Sequence, residues 1–107
     1  MRIYLPLTLP LLASYAEAGE VRDHAEPFVA DGDDEESEYA ALMAAADASA
    51  EQQPVGARRV VLVAEVDVEG EPVPWRRVLA VHADLEQHEP DDDLAWFATQ
   101  EIPDLLR

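Results

Sequence analysis

The sequence has no cysteine, no lysine and only four glycines among its 107 residues. Without cysteine the chain forms no disulfide and no thiolate metal site, and this absence fits a reducing compartment. The glycines stand singly, so neither a phosphate-binding loop nor a dinucleotide fingerprint is present. No apolar run reaches the roughly 20 residues of a membrane-spanning helix. Disulfide scaffolds, motif-based nucleotide binders and spanning helices are therefore excluded.

Positive charge is also scarce. Seven arginines stand against 24 acidic residues, which gives a formal net charge of -17. Such a surface repels phosphates, so we expect no direct nucleic-acid binding and no membrane binding, and a basic protein or a divalent cation is the favoured partner. Because 49% of the residues are hydrophobic and lie in periodic blocks, the chain should fold. Its length predicts one acidic domain over residues 1–107, and we expect it to be cytoplasmic.

The first 20 residues, MRIYLPLTLPLLASYAEAGE, imitate a secretory signal peptide. Pro6 and Pro10 interrupt the apolar run, and Arg2 alone provides a weak charged region. We therefore favour a strand over residues 2–5 and a helix that Thr8 caps and Gly19 ends. The signal peptide remains the alternative.

The stretch DGDDEESEY, residues 31–39, follows a weak strand predicted at residues 27–30. Its acids suit the start of a helix, where unpaired N–H groups favour anions. Asp33 is the predicted N-cap, and Glu36 could complete a capping box. A calcium loop counted from Asp31 fails, because its sixth residue is not glycine. The predicted apolar stripe of this helix consists of Tyr39, Leu42, Met43, Ala46 and Ala50.

Residues 58–83 carry the clearest β-strand signal, two apolar runs that predict a central antiparallel hairpin. The favoured register places Leu62 opposite Val81 and Ala64 opposite Leu79. It also pairs Arg59 with Asp84 and Asp67 with Arg76, and a slip of one residue would lose both ion pairs.

A final helix is predicted after Asp91, Asp92 and Asp93, with Leu94, Phe97, Ala98 and Ile102 on one stripe and an end near Glu101, before Pro103. The complete prediction is a single α/β domain, with α+β as the alternative. Its element order is β-α-β-α-β-β-α around a mixed four-stranded sheet.

Four segments carry a resemblance to a known family: the N-terminal 20 residues, EYAALMAAADAS, WRRVLAVHAD and DLAWFATQEIPDLL. With them the chain resembles a family of small acidic proteins from high-GC Gram-positive bacteria, a domain of unknown function. The resemblance implies that the N-terminus belongs to the mature domain. It supplies no activity, so no residue inherits a role.

Catalytic patterns are weak. Ser14, Ser37 and Ser49 lie in helical contexts and not in a nucleophile elbow, and we expect no cofactor. His82, Asp84 and His88, with the acids that follow, could converge on a divalent ion, which makes a metal-binding protein or metal-dependent hydrolase the alternative function.

The favoured function is a non-enzymatic, regulatory interaction module that binds a basic protein, for example by mimicry of nucleic acid. Residues 31–38, 65–71 and 84–93 hold 16 of the 24 acids. Plain solvation of the surface is the competing interpretation of this charge. The predicted partner-binding residues are Asp33, Asp34, Glu35, Glu36, Glu69, Glu71, Trp75, Asp91, Asp92, Asp93 and Trp96.

Overall fold

The computed structural model describes residues 1–86 and 89–107. Its helices are α1 (Leu9–Ala18), α2 (Glu35–Glu51) and α3 (Ile102–Leu105). Its strands are β1 (Arg2–Leu7), β2 (Glu20–Val21), β3 (Val60–Glu65), β4 (Val73–Pro74), β5 (Val78–Ala83) and β6 (Ala95–Ala98). Short 3-10 turns cover Trp75–Arg77 and Thr99–Glu101. Within the described parts of the chain, no helix is both long and apolar enough to cross a membrane.

The main sheet has four strands in the order β1-β3-β5-β6, and β2 pairs with β4 in a separate two-stranded sheet. The predicted α/β domain with a central antiparallel pair is therefore confirmed. All neighbours in the main sheet run antiparallel, where the sequence predicts a mixed sheet. The difference arises because the fourth strand is β6, which returns directly alongside β5, and not the segment at residues 27–30.

The register of β3 and β5 follows the prediction at one end and shifts at the other. Leu62 lies opposite Val81 as predicted, and Arg59 forms an ion pair with Asp84 at 2.8 Å. A β-bulge between Val63 and Ala64 then places Ala64 opposite Val78, so the predicted pairing with Leu79 is wrong.

The second predicted ion pair is wrong by one residue. Asp67 meets Arg77 at 3.1 Å and not Arg76. Asp67 follows the end of β3 and Arg77 lies in the 3-10 turn before β5, so this contact lies outside the paired strands and the strand register does not set it.

The helix caps follow local chemistry. The Oγ1 of Thr8 accepts the N–H of Leu11 at 3.3 Å, and Gly19 ends α1 at a φ of 79°, both as predicted. The N-cap of α2 is Asp34, one residue after the predicted Asp33. Its carboxylate accepts the N–H of Ser37 at 3.1 Å and the hydroxyl of Ser37 at 2.8 Å. These bonds, above all the one from the hydroxyl, lower the pKa of Asp34.

The buried face of α2 differs from the predicted stripe. Tyr39 is exposed, whereas the buried residues of the helix are Ala41, Ala45, Ala46 and Ser49. Small side chains bring the helix axis close to the sheet, so the larger side chains of the predicted stripe lie toward its margin. The buried hydroxyl of Ser49 donates to the carbonyl of Leu7 at 2.6 Å and accepts the N–H of Val60 at 2.9 Å.

Two other predicted elements are wrong. Residues 27–30 form only an isolated bridge between Phe28 and Tyr4. The final helix does not begin after Asp93, because residues 95–98 are strand β6 and α3 starts at Ile102. Pro103 lies in the first turn of α3, where its missing N–H costs nothing.

The sheet separates two hydrophobic cores. The larger core packs inward-facing residues of the sheet, such as Leu5, Leu62 and Val81, against Leu12 of α1 and Ile102 of α3. The smaller core, on the opposite face, packs residues of β1 and β3 against the alanines of α2. The helix layer on this second face therefore lies over one side of the sheet.

Candidate functional site

Exposure changes along a single row of residues that crosses the second face of the sheet. Val61 of β3 lies opposite His82 of β5, and His82 lies opposite Trp96 of β6. Opposed residues of a sheet share a face. Val61 is fully buried at 0% exposure, His82 is half-buried, and Trp96 is 60% exposed. The β5 and β6 side of this face is therefore open.

A groove of about 420 Å³ runs between α2 and this open side. Its floor includes Val63, Ala80 and His82, and its walls include exposed aromatic and aliphatic side chains. Tyr39 is 50% exposed, Leu79 43% and Trp96 60%. The complete lining consists of Arg2, Tyr4, Glu35, Glu38, Tyr39, Leu42, Val63, Leu79, Ala80, His82 and Trp96.

The β-bulge shapes this groove. Because Ala64 pairs with Val78 and Val63 pairs with Ala80, Leu79 is the extra residue between them. Both Leu79 and Ala80 line the groove, although neighbours in a regular strand point to opposite faces. An apolar side chain that the regular register would bury on the other face thereby reaches solvent.

The charges of the lining are negative or already paired. The guanidinium of Arg2 donates to the carboxylate of Glu38 at 2.8 Å, and its Nε lies 3.6 Å from Glu65. The hydroxyl of Tyr4 donates to the same Glu38 oxygen at 3.4 Å. Glu35, in the first turn of α2, is exposed at the end of the groove. Among the described lining residues, the arginine is thus neutralised and Glu35 remains available.

Tyr39 connects the groove to a second group of acids. Its hydroxyl donates to the carboxylate of Asp93 at 2.7 Å. This hydrogen bond, together with the nearby charges of Asp93 and Asp91, raises the pKa of Tyr39. Asp93 and Asp91 therefore extend the negative charge of the groove along its rim.

Arg59 fixes the position of residues 90–93, the segment that carries Asp91 and Asp93. Its guanidinium makes a two-bond contact with Asp84, at 2.8 and 2.9 Å. It also donates to the carbonyls of Pro90 at 3.0 Å and Asp92 at 2.9 Å. Arg59 is 1% exposed and Asp84 4%. A buried cation without these partners would be strongly unfavourable, so the pair and the adjoining acidic segment form one structural unit.

The proposed metal ligands have other surroundings. Burial lowers the pKa of His82, and its side chain lies on the floor of the groove. Both carboxylate oxygens of Asp84 accept hydrogen bonds from Arg59. His88 lies outside the described residues. Within residues 1–86 and 89–107, no cluster of three His, Asp or Glu side chains has the geometry to hold a metal ion.

The structure brings together some of the predicted partner-binding residues and separates others. Glu35 and Trp96 line the groove, and Asp93 borders it through Tyr39. Asp33 instead lines a neighbouring cavity of about 510 Å³, beside Met1 and Glu65. The remaining predicted residues do not line the groove: Asp34, Glu36, Glu69, Glu71, Trp75, Asp91 and Asp92.

Several of these residues have structural positions. Asp34 caps α2, Trp75 packs against the larger core, and Asp92 accepts the N–H of Glu89 at 2.8 Å. Since β6 is a strand, Asp91, Asp92 and Asp93 do not begin a helix as predicted, and the preference of helix starts for anions does not explain them.

The apolar part of the site differs from the prediction. The sequence predicts Tyr39 on the apolar stripe of α2 and Leu79 opposite Ala64 in the central hairpin, yet both are exposed in the groove. No pattern in the sequence marks the bulge that exposes Leu79. The alanines at positions 41 and 45 were the available signal for Tyr39, because they offer a second helical face, with smaller side chains.

Comparison with known proteins gives a family and no activity. No curated protein and no solved structure matches the chain. A family model matches residues 1–106, nearly the whole sequence. The resemblance to a domain of unknown function is thereby confirmed, and the chain belongs to the family of unknown function DUF6912.

Proposed function

We propose that this protein is a non-enzymatic interaction module whose groove binds a basic segment of another protein. The observation that supports the proposal is the combination of exposed apolar side chains with an acidic rim. Trp96, Tyr39 and Leu79 offer apolar contact area, while Glu35 and Asp93 provide the negative charge beside it. Aromatic residues in partly enclosed pockets are common anchors of protein interfaces.

Charge selects the partner. The protein carries a formal net charge of -17, so it attracts cationic chains over long distances and repels nucleic acid and anionic lipid. Solvation alone would account for scattered acids, but it does not account for large apolar side chains that stay exposed next to them. A segment with an apolar centre and lysine or arginine on both sides satisfies both features.

The test uses a fluorescently labelled synthetic peptide, Lys-Lys-Val-Phe-Val-Lys-Lys, and measures its binding to the full chain by fluorescence anisotropy. We expect Trp96→Ala to weaken binding at least about tenfold, as loss of an interface anchor does. Val55→Ala is the matched control, because Val55 is 106% exposed and does not line the groove.

A second pair of variants separates local charge from total charge. Glu35→Gln in the groove and Glu17→Gln in α1 remove the same charge, but α1 packs on the opposite face of the sheet. We expect the first change to weaken binding about threefold and the second to have little effect. Added salt should weaken binding in both cases.

A control peptide with Gly-Ser-Gly in place of Val-Phe-Val keeps all four lysines. Equal affinity for the two peptides would show that charge alone is responsible. Absence of binding, or equal binding by Trp96→Ala and Val55→Ala, would also overturn the proposed groove.

A further inference from the structure

The two edge strands of the main sheet, β1 and β6, differ in what pairs with their outer sides. At the β1 edge, the N–H of Tyr4 donates to the carbonyl of Phe28 and the N–H of Phe28 donates to the carbonyl of Tyr4, both at 2.9 Å. This bridge pairs the outward backbone groups of Tyr4, and the side chains of Tyr4 and Phe28 both pack into the smaller core. No described residue forms a strand on the outer side of β6.

The strand register shows which backbone groups of β6 point outward. The N–H of Asp84 donates to the carbonyl of Arg59 at 3.1 Å, across the gap between β5 and β3. Since backbone direction alternates along a strand, His82 also points toward β3, and Val81 and Ala83 point toward β6. Their partners there are Phe97 and Ala95.

The N–H and carbonyl of Trp96 consequently face away from the sheet. The next outward N–H, that of Ala98, accords with this assignment, because it donates to the side chain of Glu101 at 2.9 Å. Trp96 thus stands at the β6 edge as Tyr4 stands at the β1 edge, with its side chain on the same face of the sheet. An exposed N–H and carbonyl pair of this kind is a template for an added strand.

We propose that the basic partner segment binds in extended form and adds to β6, with one of its apolar residues bridging Trp96 as Phe28 bridges Tyr4. This inference rests on the proposed function, and it specifies the conformation of the partner and its hydrogen bonds. The opposed residue places its side chain in the groove beside Trp96 and Leu79, and flanking cations meet the rim acids Asp93 and Glu35.

Charge argues against a second copy of this chain as the occupant. Two copies with a net charge of -17 each would bring their acidic rims together at this edge. A cationic segment instead gains attraction on approach. The open edge is also short, because β6 has only four residues, so the strand bonds add to contacts in the groove and do not replace them.

The experiment compares two singly N-methylated forms of Lys-Lys-Val-Phe-Val-Lys-Lys with the unmodified peptide. A methyl group on the phenylalanine nitrogen removes the N–H that would donate to the carbonyl of Trp96. A methyl group on the nitrogen of the following valine alters an N–H that would face away from β6. Charge and side chains are the same in both peptides.

We expect the phenylalanine-methylated peptide to bind at least about tenfold more weakly than the valine-methylated one, because it loses a hydrogen bond and clashes with the edge. The valine-methylated peptide should bind within about threefold of the unmodified peptide.

The possible failures are distinct. If both methylated peptides bind equally well and Trp96→Ala still weakens binding, strand addition is wrong while the proposed function survives. If no peptide binds, the proposed function fails as well. If sedimentation shows a dimer of the full chain that the unmodified peptide does not dissociate, the edge belongs to a second copy and the inference is overturned.

Discussion

The two sides of the sheet's second face bear similar residues but meet different neighbours. On the β1 and β3 side, Tyr4, Val61 and Val63 pack under α2 and are at most 5% exposed. On the β5 and β6 side, Leu79 and Trp96 are 43% and 60% exposed. Side-chain chemistry therefore does not decide burial here. The position of one helix does, together with the bulge at Leu79.

The residues of α2 explain why coverage stops in the middle of the sheet. Its buried alanines let the helix approach β1 and β3 closely. A helix is about 10 Å wide, which spans two strands at the usual spacing of about 4.8 Å. The remaining two strands require another layer, and the described chain leaves a groove there.

The largest expected effect comes from removing Arg59, which connects the acidic rim of the open side to the rest of the domain. Arg59→Ala would remove the guanidinium that pairs with Asp84 at a buried site, together with the donors to the carbonyls of Pro90 and Asp92. We expect the free energy of unfolding to fall by about 3–5 kcal/mol in urea denaturation. Arg77→Ala, at an ion pair whose Asp67 is 82% exposed, should cost less than about 1 kcal/mol. Similar losses in the two variants would contradict the structural role of Arg59.

A smaller effect is expected from enlarging a side chain between α2 and the sheet. Ala45 is fully buried against the sheet, so Ala45→Leu should lower the free energy of unfolding by about 1–3 kcal/mol through overpacking. Ala40→Leu makes the same change at an exposed position of the same helix and should stay within about 0.5 kcal/mol. Thermal denaturation of both variants measures the difference. Equal stability would mean that α2 can move away from the sheet without cost.

The exposed end of the row should tolerate truncation better than the buried end. Val61→Ala removes two methyl groups from a fully buried site and should cost about 2 kcal/mol. Trp96→Ala removes a much larger side chain and should cost less than about 1 kcal/mol, since that side chain is mostly exposed. Urea denaturation decides the order. A larger loss at Trp96 would show that the groove is part of the core.

The smallest expected effect is a change in the pH dependence of stability, caused by His82, which lies between Val61 and Trp96 in the row. Burial lowers its pKa below the ordinary value of about 6.5, so the unfolded chain binds the proton more readily than the folded one. Stability should therefore fall as pH drops below about 6.5. We expect a shallower fall in His82→Gln, measured as unfolding free energy from pH 7.5 to 5. Glu35 and Glu38, which line the same groove, are present in both proteins, so parallel curves would exclude a contribution from His82.

Local signals in the sequence predicted the features of the fold that a few residues determine without the rest of the chain. Thr8 and Gly19 mark the two ends of α1, because Thr8 caps one end with its side chain and Gly19 ends the helix with its left-handed backbone angle. The pairing of Leu62 with Val81 was predictable because Arg59 and Asp84 permit one register. The bulge was not predictable, since it depends on how the whole hairpin twists over the core.

The C-terminal segment shows where periodicity fails. Residues 95–98, AWFA, are too few to distinguish a strand from a helical turn, and Pro103 marks a helix start as readily as an end. Pairing with β5 makes this segment a strand. The sequence predicts the candidate site only in part: it indicates Glu35, Asp93 and Trp96, whereas it places Tyr39 on the apolar stripe of α2 and Leu79 in a regular strand pairing.

The sequence by itself determined the negative charge, the caps of α1 and the pairing of Leu62 with Val81, because each follows from residue types and short-range chemistry. Only the tertiary structure decided which side of the sheet α2 covers and which strand forms the open edge. Those outcomes depend on the fit of side-chain volumes between elements distant in the chain, which no local pattern records. The groove at Trp96 arises from that fit.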